Sequence, residues 1–160
     1  MICFPNAKIN IGLHIVSRRR DGYHDLETLF YPIGLKDALE IVPAKEGAIS
    51  PQINPAELAE TSTTTTATEG YRFFQTGIPI AGAVEENLVV KALHLVARER
   101  TIPPIDIHLL KKIPSGAGLG GGSSDAAFML QLLNNNFSLG FSKDELTGMA
   151  ATLGADCAFF

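Results

Sequence analysis

One short segment concentrates the small and hydroxyl side chains of this sequence. Five of the seven residues from Gly116 to Gly122 are glycine. Because glycine has no Cβ, several backbone N–H groups in such a segment can point at one anion. A helix predicted directly after it would add unpaired N–H groups and the positive end of its dipole. The pattern predicts a phosphate-binding loop, formed by Pro114, Ser115, Gly116, Ala117, Gly118, Leu119, Gly120, Gly121, Gly122, Ser123 and Ser124.

Two other glycine-rich phosphate motifs fit this segment poorly. The P-loop motif ends in Gly-Lys-Ser/Thr, and this loop contains no lysine. Gly116, Gly118 and Gly121 have the spacing of a dinucleotide fingerprint, but that fingerprint belongs at the first strand–helix turn of a parallel sheet. The alternative without a binding role is that this segment is only a flexible linker, although linkers rarely stand between a strand and a helix. The hydroxyls of Ser123 and Ser124 could bind phosphate or a phosphate-bound Mg²⁺.

A lysine near the N-terminus and an aspartate near the C-terminus are the second candidate pair. Alternating apolar residues from Ala7 to Ile15 predict a half-buried strand whose polar face carries Lys8 and Asn10. A lysine on such a face is usually only solvated. Asp156 could equally cap a helix that ends near Gly154. Without further context, either residue is more often structural than catalytic.

The elements that must position these residues follow from periodicity and from helix start and stop signals. The Thr-rich segment from Ile49 to Gly70 is predicted to be a loop, with Thr61–Thr68 resembling an insertion. The order of strands, helix, strand, helix and helix predicts an α+β fold. The further predicted strands are Leu26–Pro32, Ala38–Pro43, Tyr71–Thr76 and Ile105–Leu109. The predicted helices run from the cap Asn87 to about Arg100, over Ala126–Leu133, and from Ser142 to about Gly154.

Composition limits the function classes. A chain of 160 residues with 46% hydrophobic residues is sufficient for one domain. The formal charge of −4 argues against general nucleic-acid binding, and no apolar segment is long enough to span a membrane. Cys3 and Cys157 have no metal-ligand spacing and are predicted to be buried or half-buried thiols. We therefore expect a soluble cytoplasmic protein without nucleic-acid or membrane partners.

Four motifs together resemble the GHMP family of small-molecule kinases. Pro114–Ser124 resembles that family's Pro-x-x-x-Gly-Leu-Gly-x-x-Ser-Ser motif, and Pro5–Asn10 resembles its Pro-x-Ala-Lys-x-Asn. Arg19–His24 is similar to Arg-x-Asp-Gly-Tyr-His, and Leu153–Asp156 is similar to Leu-Gly-Ala-Asp. The Asp-Gly-Tyr-His stretch is typical of the branch that acts on a cytidine diphosphate-linked substrate in the synthesis of isoprenoid precursors. The matches occur in the family's order along the whole chain.

The resemblance implies an N-terminal kinase domain over residues 1–160, with a mixed sheet and helices packed on one face. It implies transfer of the γ-phosphoryl group of ATP, with Mg²⁺, to a hydroxyl of the cytidine-linked substrate. Asp156 would accept the hydroxyl proton, and Lys8 would orient the hydroxyl beside it. Tyr23 and His24 would bind the cytosine base, and Asn10 would hydrogen-bond the substrate or Asp156. Asn87, Leu88 and Lys111 would join the glycine-rich loop at ATP.

The resemblance also leaves alternatives open. Family members continue for roughly another domain's length, so we expect 1–160 to be a fragment with weak or no activity alone. Cys157 and Ala158 stand where the family often has Val-Pro. A mevalonate-type or homoserine-type kinase is the alternative within the family, and a non-catalytic nucleotide-binding fragment is the alternative outside it. A monomer or a weak homodimer is expected.

Overall fold

The computed structural model describes residues 1–18, 22, 24–44, 64–68 and 70–160. Its order of strands and helices confirms the α+β prediction. Short 3₁₀ helices lie at Val84–Glu86 and Cys157–Phe159. The other elements are β1 (Ile2–Cys3), β2 (Asn6–Arg18), β3 (His24–Lys36), β4 (Ala38–Pro43), β5 (Thr64–Thr68), β6 (Tyr71–Gly77), α1 (Leu88–Glu99), β7 (Ile105–Lys111), α2 (Gly121–Phe137) and α3 (Lys143–Leu153).

Five of the strands form one mixed sheet in the order β1-β4-β7-β6-β5. Strands β6 and β7 are parallel, and the other neighbouring pairs are antiparallel. A parallel pair needs a crossover connection, and α1 provides it between β6 and β7. Because β7 lies at the centre of the sheet, its C-terminal end at Lys111 leads directly into the glycine-rich loop.

The core lies between one face of this sheet and the helices. Alternate residues of β7, namely Ile105, Ile107 and Leu109, are almost fully buried in the cluster that also includes the buried faces of α1 and α2. Period-two alternation places their neighbours, such as His108, on the opposite and more exposed face. The prediction of a mixed sheet with helices packed on one face is therefore confirmed.

A separate two-stranded ribbon is formed by β2 and β3. The prediction that β2 is half-buried was wrong for most of its length, since Ile11, Leu13 and Ile15 are each more than half exposed. Only its beginning is buried, with Ala7 at 0% and Lys8 at 4% exposure. Beyond that point the ribbon leaves the sheet and its helices, so the alternation correctly predicts a strand but not its burial.

The boundaries of α1 and α3 agree with the sequence prediction, whereas α2 differs at both ends and runs to Phe137 rather than to Leu133. The side chain of Asn87 accepts a hydrogen bond from the N–H of Val89 and caps α1, as predicted. Ser142 and Glu145 form the predicted capping box of α3. Helix α2, however, begins at Gly121 rather than at Ala126. The low helix propensity of two glycines and two serines conceals a helical turn that tertiary packing imposes.

The structure also tests the predictions for the Thr-rich segment, in part, and for the two cysteines. Within the Thr-rich segment, Thr64–Thr68 form strand β5, which corrects the prediction of a loop there. The rest of that segment, 49–63 and 69, lies outside the described residues. Cys157 is buried and Cys3 is half-buried, and both are free thiols as predicted. No helix among the described residues is long and apolar enough to cross a membrane.

Candidate active site

The glycine-rich loop has a backbone that only glycine adopts readily. Gly116, Gly118 and Gly120 have φ values of 73°, 74° and 69°, in the left-handed region. The residues from Pro114 to Gly118 are exposed, and the loop surrounds a cavity of about 210 Å³. Leu88 at the start of α1 lines the same cavity. The structure therefore places Leu88 beside the loop, as the predicted nucleotide site requires.

The loop leads directly into the N-terminus of α2. The N–H of Ser124 already donates to the carbonyl of Gly120, so the unpaired N–H groups of the first turn belong to Gly121, Gly122 and Ser123. The hydroxyl of Ser124 is fully buried, whereas Ser123 is partly exposed. Direct phosphate contact through the Ser124 hydroxyl does not fit this geometry. The helix terminus and Ser123 remain suitable for an anion.

Lys8 and Asp156 meet, although 148 positions separate them in the sequence. The ammonium of Lys8 lies 3.1 Å from Oδ2 of Asp156. The side chain of Lys8 is 5% exposed, and that of Asp156 is 32% exposed. A nearly buried cation therefore holds a carboxylate that solvent can still reach. This is the arrangement needed for a group that accepts a proton from a bound hydroxyl.

Side chains of the β2–β3 ribbon hold the ammonium of Lys8 in place. Lys8 donates to Oδ1 of Asn10 at 2.5 Å, and the amide of Asn10 donates to Thr28 at 3.1 Å. Asn10 thus bonds to Lys8 rather than to Asp156. The ring of Phe30 lies 4.8 Å from the ammonium and packs against Phe159. Sequence reasoning missed Thr28 and Phe30, because strand pairing alone brings them opposite this part of β2.

Three contacts place the Lys8–Asp156 pair beside the loop. The N–H of Lys8 donates to the carbonyl of Leu119 at 2.9 Å. A Cβ added at Gly120 would lie 3.1 Å from carbons of the Lys8 side chain, so that glycine allows the lysine to pass closely. Gly154, just before Asp156, lies against Ser123 in the first turn of α2. The candidate base, its lysine and the helix N-terminus are therefore neighbours.

Lys111 occupies a different position from the one predicted. Its side chain is 2% exposed, and its ammonium contacts Asp37 and, at 2.8 Å, Asp125. The ammonium lies beneath the loop, so a direct contact between this group and ATP does not fit the structure. Sequence reasoning missed both aspartates. The only local signal is that Asp125 directly follows the serines of the loop motif.

Of the two residues predicted to bind the cytosine base, the structure describes His24. Tyr23 lies outside the described residues. His24 is exposed and pairs with Arg18, eight residues along β2 from Asn10. At about 3.3 Å per residue that separation is on the order of 25 Å along the strand. The role predicted for His24 stays a prediction.

Comparisons with known proteins identify this fold. A family model described as "GHMP kinases N terminal domain" matches residues 87–160, which include α1, the glycine-rich loop and Asp156. A solved structure of 4-(cytidine 5'-diphospho)-2C-methyl-D-erythritol kinase is 36% identical and covers the whole chain with a TM-score of 0.69. The fold is that of a GHMP kinase N-terminal domain. The chain covers 48% of that solved structure.

Curated relatives are similar to this chain over its full length. Proteins named 4-diphosphocytidyl-2-C-methyl-D-erythritol kinase from Bacteroides thetaiotaomicron and Parabacteroides distasonis are 54% and 52% identical over 160 residues. The chain spans about half the length of these curated relatives, 51% and 50% respectively. A solved mevalonate kinase covers 99% of the chain with a TM-score of 0.58 at 13% identity. At that identity the likeness concerns the fold alone.

A larger groove of the molecule lies away from the predicted site. Its volume is about 530 Å³, and it is formed by α2, α3 and the C-terminal residues, including Asn134, Phe141 and Phe160. It contains neither Lys8 nor any residue of the glycine-rich loop. The smaller cavity at the loop therefore remains the candidate nucleotide site, because it adjoins the charged pair and the helix N-terminus.

Burial of Asp125 beneath the glycine-rich loop predicts that the stability of the folded chain depends on pH. Burial raises the pKa of Asp125 from 3.8 to about 7, against the opposing effect of the Lys111 ammonium and together with the like charge of Asp37. The native state therefore binds a proton more tightly than the unfolded chain. This contribution to stability is complete below pH 3.8 and is lost as the pH rises to about 7.

An Asp125→Asn variant should lack this contribution, because an amide does not titrate. Its free energy of unfolding should vary less between about pH 4 and 8 than that of the wild type. Denaturant unfolding at several pH values checks the result. Asp144→Asn, an exposed aspartate on α3, is the control and should keep the wild-type slope. A wild-type slope in Asp125→Asn would contradict the prediction.

Proposed function

We propose that this chain forms the ATP-binding part of a kinase that phosphorylates the 2-hydroxyl of 4-diphosphocytidyl-2-C-methyl-D-erythritol, a step in non-mevalonate isoprenoid synthesis. The names of the curated relatives and of the similar solved structure support this choice of substrate. The motif Asp21-Gly22-Tyr23-His24 supports the same branch of the family. We also propose a cytoplasmic location, as expected from the composition.

One observation carries the proposed chemistry. Lys8 and Asp156 form an ion pair of 3.1 Å beside the glycine-rich loop and the N-terminus of α2. A phosphoryl transfer to an alcohol needs a proton acceptor close to a site that binds phosphate. The contacts of Leu119 with Lys8, and of Ser123 with the segment before Asp156, bring these two requirements together.

In the proposed mechanism, the carboxylate of Asp156 accepts the proton of the substrate hydroxyl. The hydroxyl oxygen attacks the γ-phosphorus of ATP, the bond from this phosphorus to the β,γ-bridging oxygen breaks, and ADP leaves. The partial exposure of Asp156 leaves this carboxylate accessible to the hydroxyl. Lys8 holds the carboxylate and offers a hydrogen-bond donor to the attacking oxygen. Asn10 keeps the lysine in this position through its 2.5 Å contact. Much of the rate acceleration would come from such alignment and charge compensation.

The phosphates of ATP would bind at the loop and helix terminus. The unpaired N–H groups of Gly121, Gly122 and Ser123 provide donors, and the dipole of α2 adds a favourable potential. The loop cavity and Leu88 accommodate the nucleoside end. Asn87 contributes mainly as the cap that fixes the start of α1, because its side-chain oxygen already accepts from Val89.

The residues present fit an Mg²⁺ that arrives with ATP rather than a preformed metal site. Among the described residues, no group of three or more His, Cys, Asp or Glu side chains could hold a metal. Mg²⁺ in kinases is commonly held largely by phosphates and water. The partly exposed hydroxyl of Ser123 is a suitable additional oxygen ligand. When bound, Mg²⁺ would supply charge neutralisation on the transferred phosphoryl group.

The test is an ADP-release assay with the purified full-length gene product, ATP and Mg²⁺. We expect turnover with 4-diphosphocytidyl-2-C-methyl-D-erythritol, and ³¹P NMR should show a new phosphate monoester beside the diphosphate. Mevalonate and homoserine are the matched alternative acceptors. Turnover with one of these and none with the cytidine-linked substrate would overturn the proposed substrate. Absence of ATP binding in calorimetry would overturn the assignment as a kinase.

A further inference from the structure

A buried group of three charges lies beneath the glycine-rich loop and takes no part in the mechanism above. It consists of Lys111, Asp37 and Asp125, whose side chains are each at most 2% exposed. These residues come from the end of β7, the turn between β3 and β4, and the first turns of α2. Burying charged side chains costs free energy unless they are paired and hydrogen-bonded, so the burial of these three side chains requires a structural explanation.

Asp37 binds the chain just before the loop begins. One of its oxygens, Oδ1, accepts hydrogen bonds from the N–H of Lys112 at 2.5 Å and from the N–H of Ile113 at 2.9 Å. Its other oxygen, Oδ2, accepts from the ammonium of Lys111. Charge-assisted bonds of this kind are stronger than those between neutral groups. A single carboxylate therefore defines the backbone path into Pro114.

The same ammonium reaches the chain just after the loop ends. Lys111 donates to Oδ2 of Asp125 on α2 at 2.8 Å. A Cβ added at Gly121 would lie 3.2 Å from the lysine nitrogen and 2.7 Å from Cγ2 of Ile113. The entry and the exit of the loop are thus in direct contact around one ammonium group.

Between these two ends the loop has little support of its own. Residues 114–118 are exposed, and the N–H of Lys8 donates to the carbonyl of Leu119 in the second half of the loop. A glycine-rich segment loses much conformational entropy when it is ordered. Fixing both ends limits the conformations available to the free loop and so lowers the entropy cost of binding phosphate.

We propose that Lys111, Asp37 and Asp125 form a positioning unit that joins both ends of the glycine-rich loop and thereby sets its affinity for the nucleotide phosphates. This inference rests on the proposed function of the loop. The unit acts through the backbone of Lys112, Ile113 and Gly121 and does not itself touch ATP. Its removal should affect nucleotide binding more than acceptor binding.

Lys111→Met tests the unit by removing the ammonium at nearly constant volume. We expect the Kd for a non-hydrolysable ATP analogue, measured by calorimetry well below the melting temperature, to rise about tenfold or more. The KM for ATP should rise in parallel, while the KM for the alcohol substrate should stay near the wild-type value. An unchanged Kd in folded Lys111→Met would overturn the proposal.

A matched control separates positioning from general stability. Asp106 also lies on β7 and pairs with Arg72, on the sheet face away from the helices. Asp106→Asn removes a charge pair from the same strand without touching the loop. If Asp106→Asn raises the Kd as much as Lys111→Met does, the effect is one of stability alone and the proposal fails. If the wild type does not bind the analogue, the proposed function fails instead.

A second measurement applies even if Lys111→Met does not fold. Hydrogen exchange on the wild type should show strong protection of the N–H groups of Lys112 and Ile113, because both donate to the buried carboxylate of Asp37. In Asp37→Asn their exchange should accelerate, and the Kd for the analogue should rise. Rapid exchange of both groups in the wild type would show that the entry of the loop is not fixed and would overturn the proposal.

Discussion

An Asp156→Asn variant should lose about 10² to 10⁴ of the kcat of the kinase, because the amide cannot accept the proton of the substrate hydroxyl. Asparagine has nearly the same shape as aspartate and retains an oxygen that can accept a hydrogen bond from Lys8. The KM for ATP should therefore remain within a few-fold of the wild-type value. Steady-state kinetics with ADP detection measures both quantities.

The control for this substitution is Asp144→Asn, which removes an exposed carboxylate on α3. It changes the net charge by the same amount and should leave kcat unchanged. Thermal melting of both variants establishes that they are folded at the assay temperature. A loss of less than about tenfold in Asp156→Asn would show that another group accepts the proton.

A Gly121→Ala variant should lose both stability and nucleotide affinity. The added Cβ would lie 2.7 Å from Cγ2 of Ile113, and one of them must move. Over-packing of this kind costs about 1–3 kcal/mol of the free energy of unfolding. Because Gly121 also supplies one of the unpaired N–H groups of α2, the same displacement should weaken binding of an ATP analogue. Denaturant unfolding and calorimetry measure the two effects.

Substitutions at two other glycines test whether crowding causes the expected loss of stability in Gly121→Ala. Gly148 lies within α3, and a Cβ there would meet nothing within 4 Å. Alanine is the better helix former by about 1 kcal/mol, so Gly148→Ala should stabilise the chain. At Gly122 the nearest atom would be 3.7 Å away, so Gly122→Ala should destabilise far less than Gly121→Ala. Equal stability losses at Gly121 and Gly122 would contradict this explanation.

Sequence reasoning was most successful where the signal is local. The caps at Asn87 and Ser142 depend on hydrogen bonds that span two or three residues, and both are present. The left-handed backbone at Gly116, Gly118 and Gly120 follows from glycine's freedom at those positions. Strand β7 was predicted from period-two alternation, and strands were also predicted at the positions of β4 and β6. The α+β order and the glycine-rich loop were therefore accessible from the residue order.

Predictions that depended on packing were less successful. The alternation in β2 is the same whether or not anything covers it, so Ile11 and Leu13 were wrongly expected to have a buried side. The early start of α2 at Gly121 opposes local propensity and requires the packing of Gly121 against Ile113. The resemblance assigned Lys111 to the ATP site, and no local pattern indicates the two carboxylates that its ammonium contacts instead.

The residue types and their spacing alone predicted a phosphate-binding loop and most of the elements around it, and the resemblance singled out Lys8 and Asp156. A backbone turn, a helix cap and a strand each arise from interactions among near neighbours in the chain. Only the tertiary structure could place Lys8 beside Asp156, and Asp37 and Asp125 around Lys111. Those contacts join residues far apart in sequence, and they form only when strand pairing and helix packing bring the separate elements together.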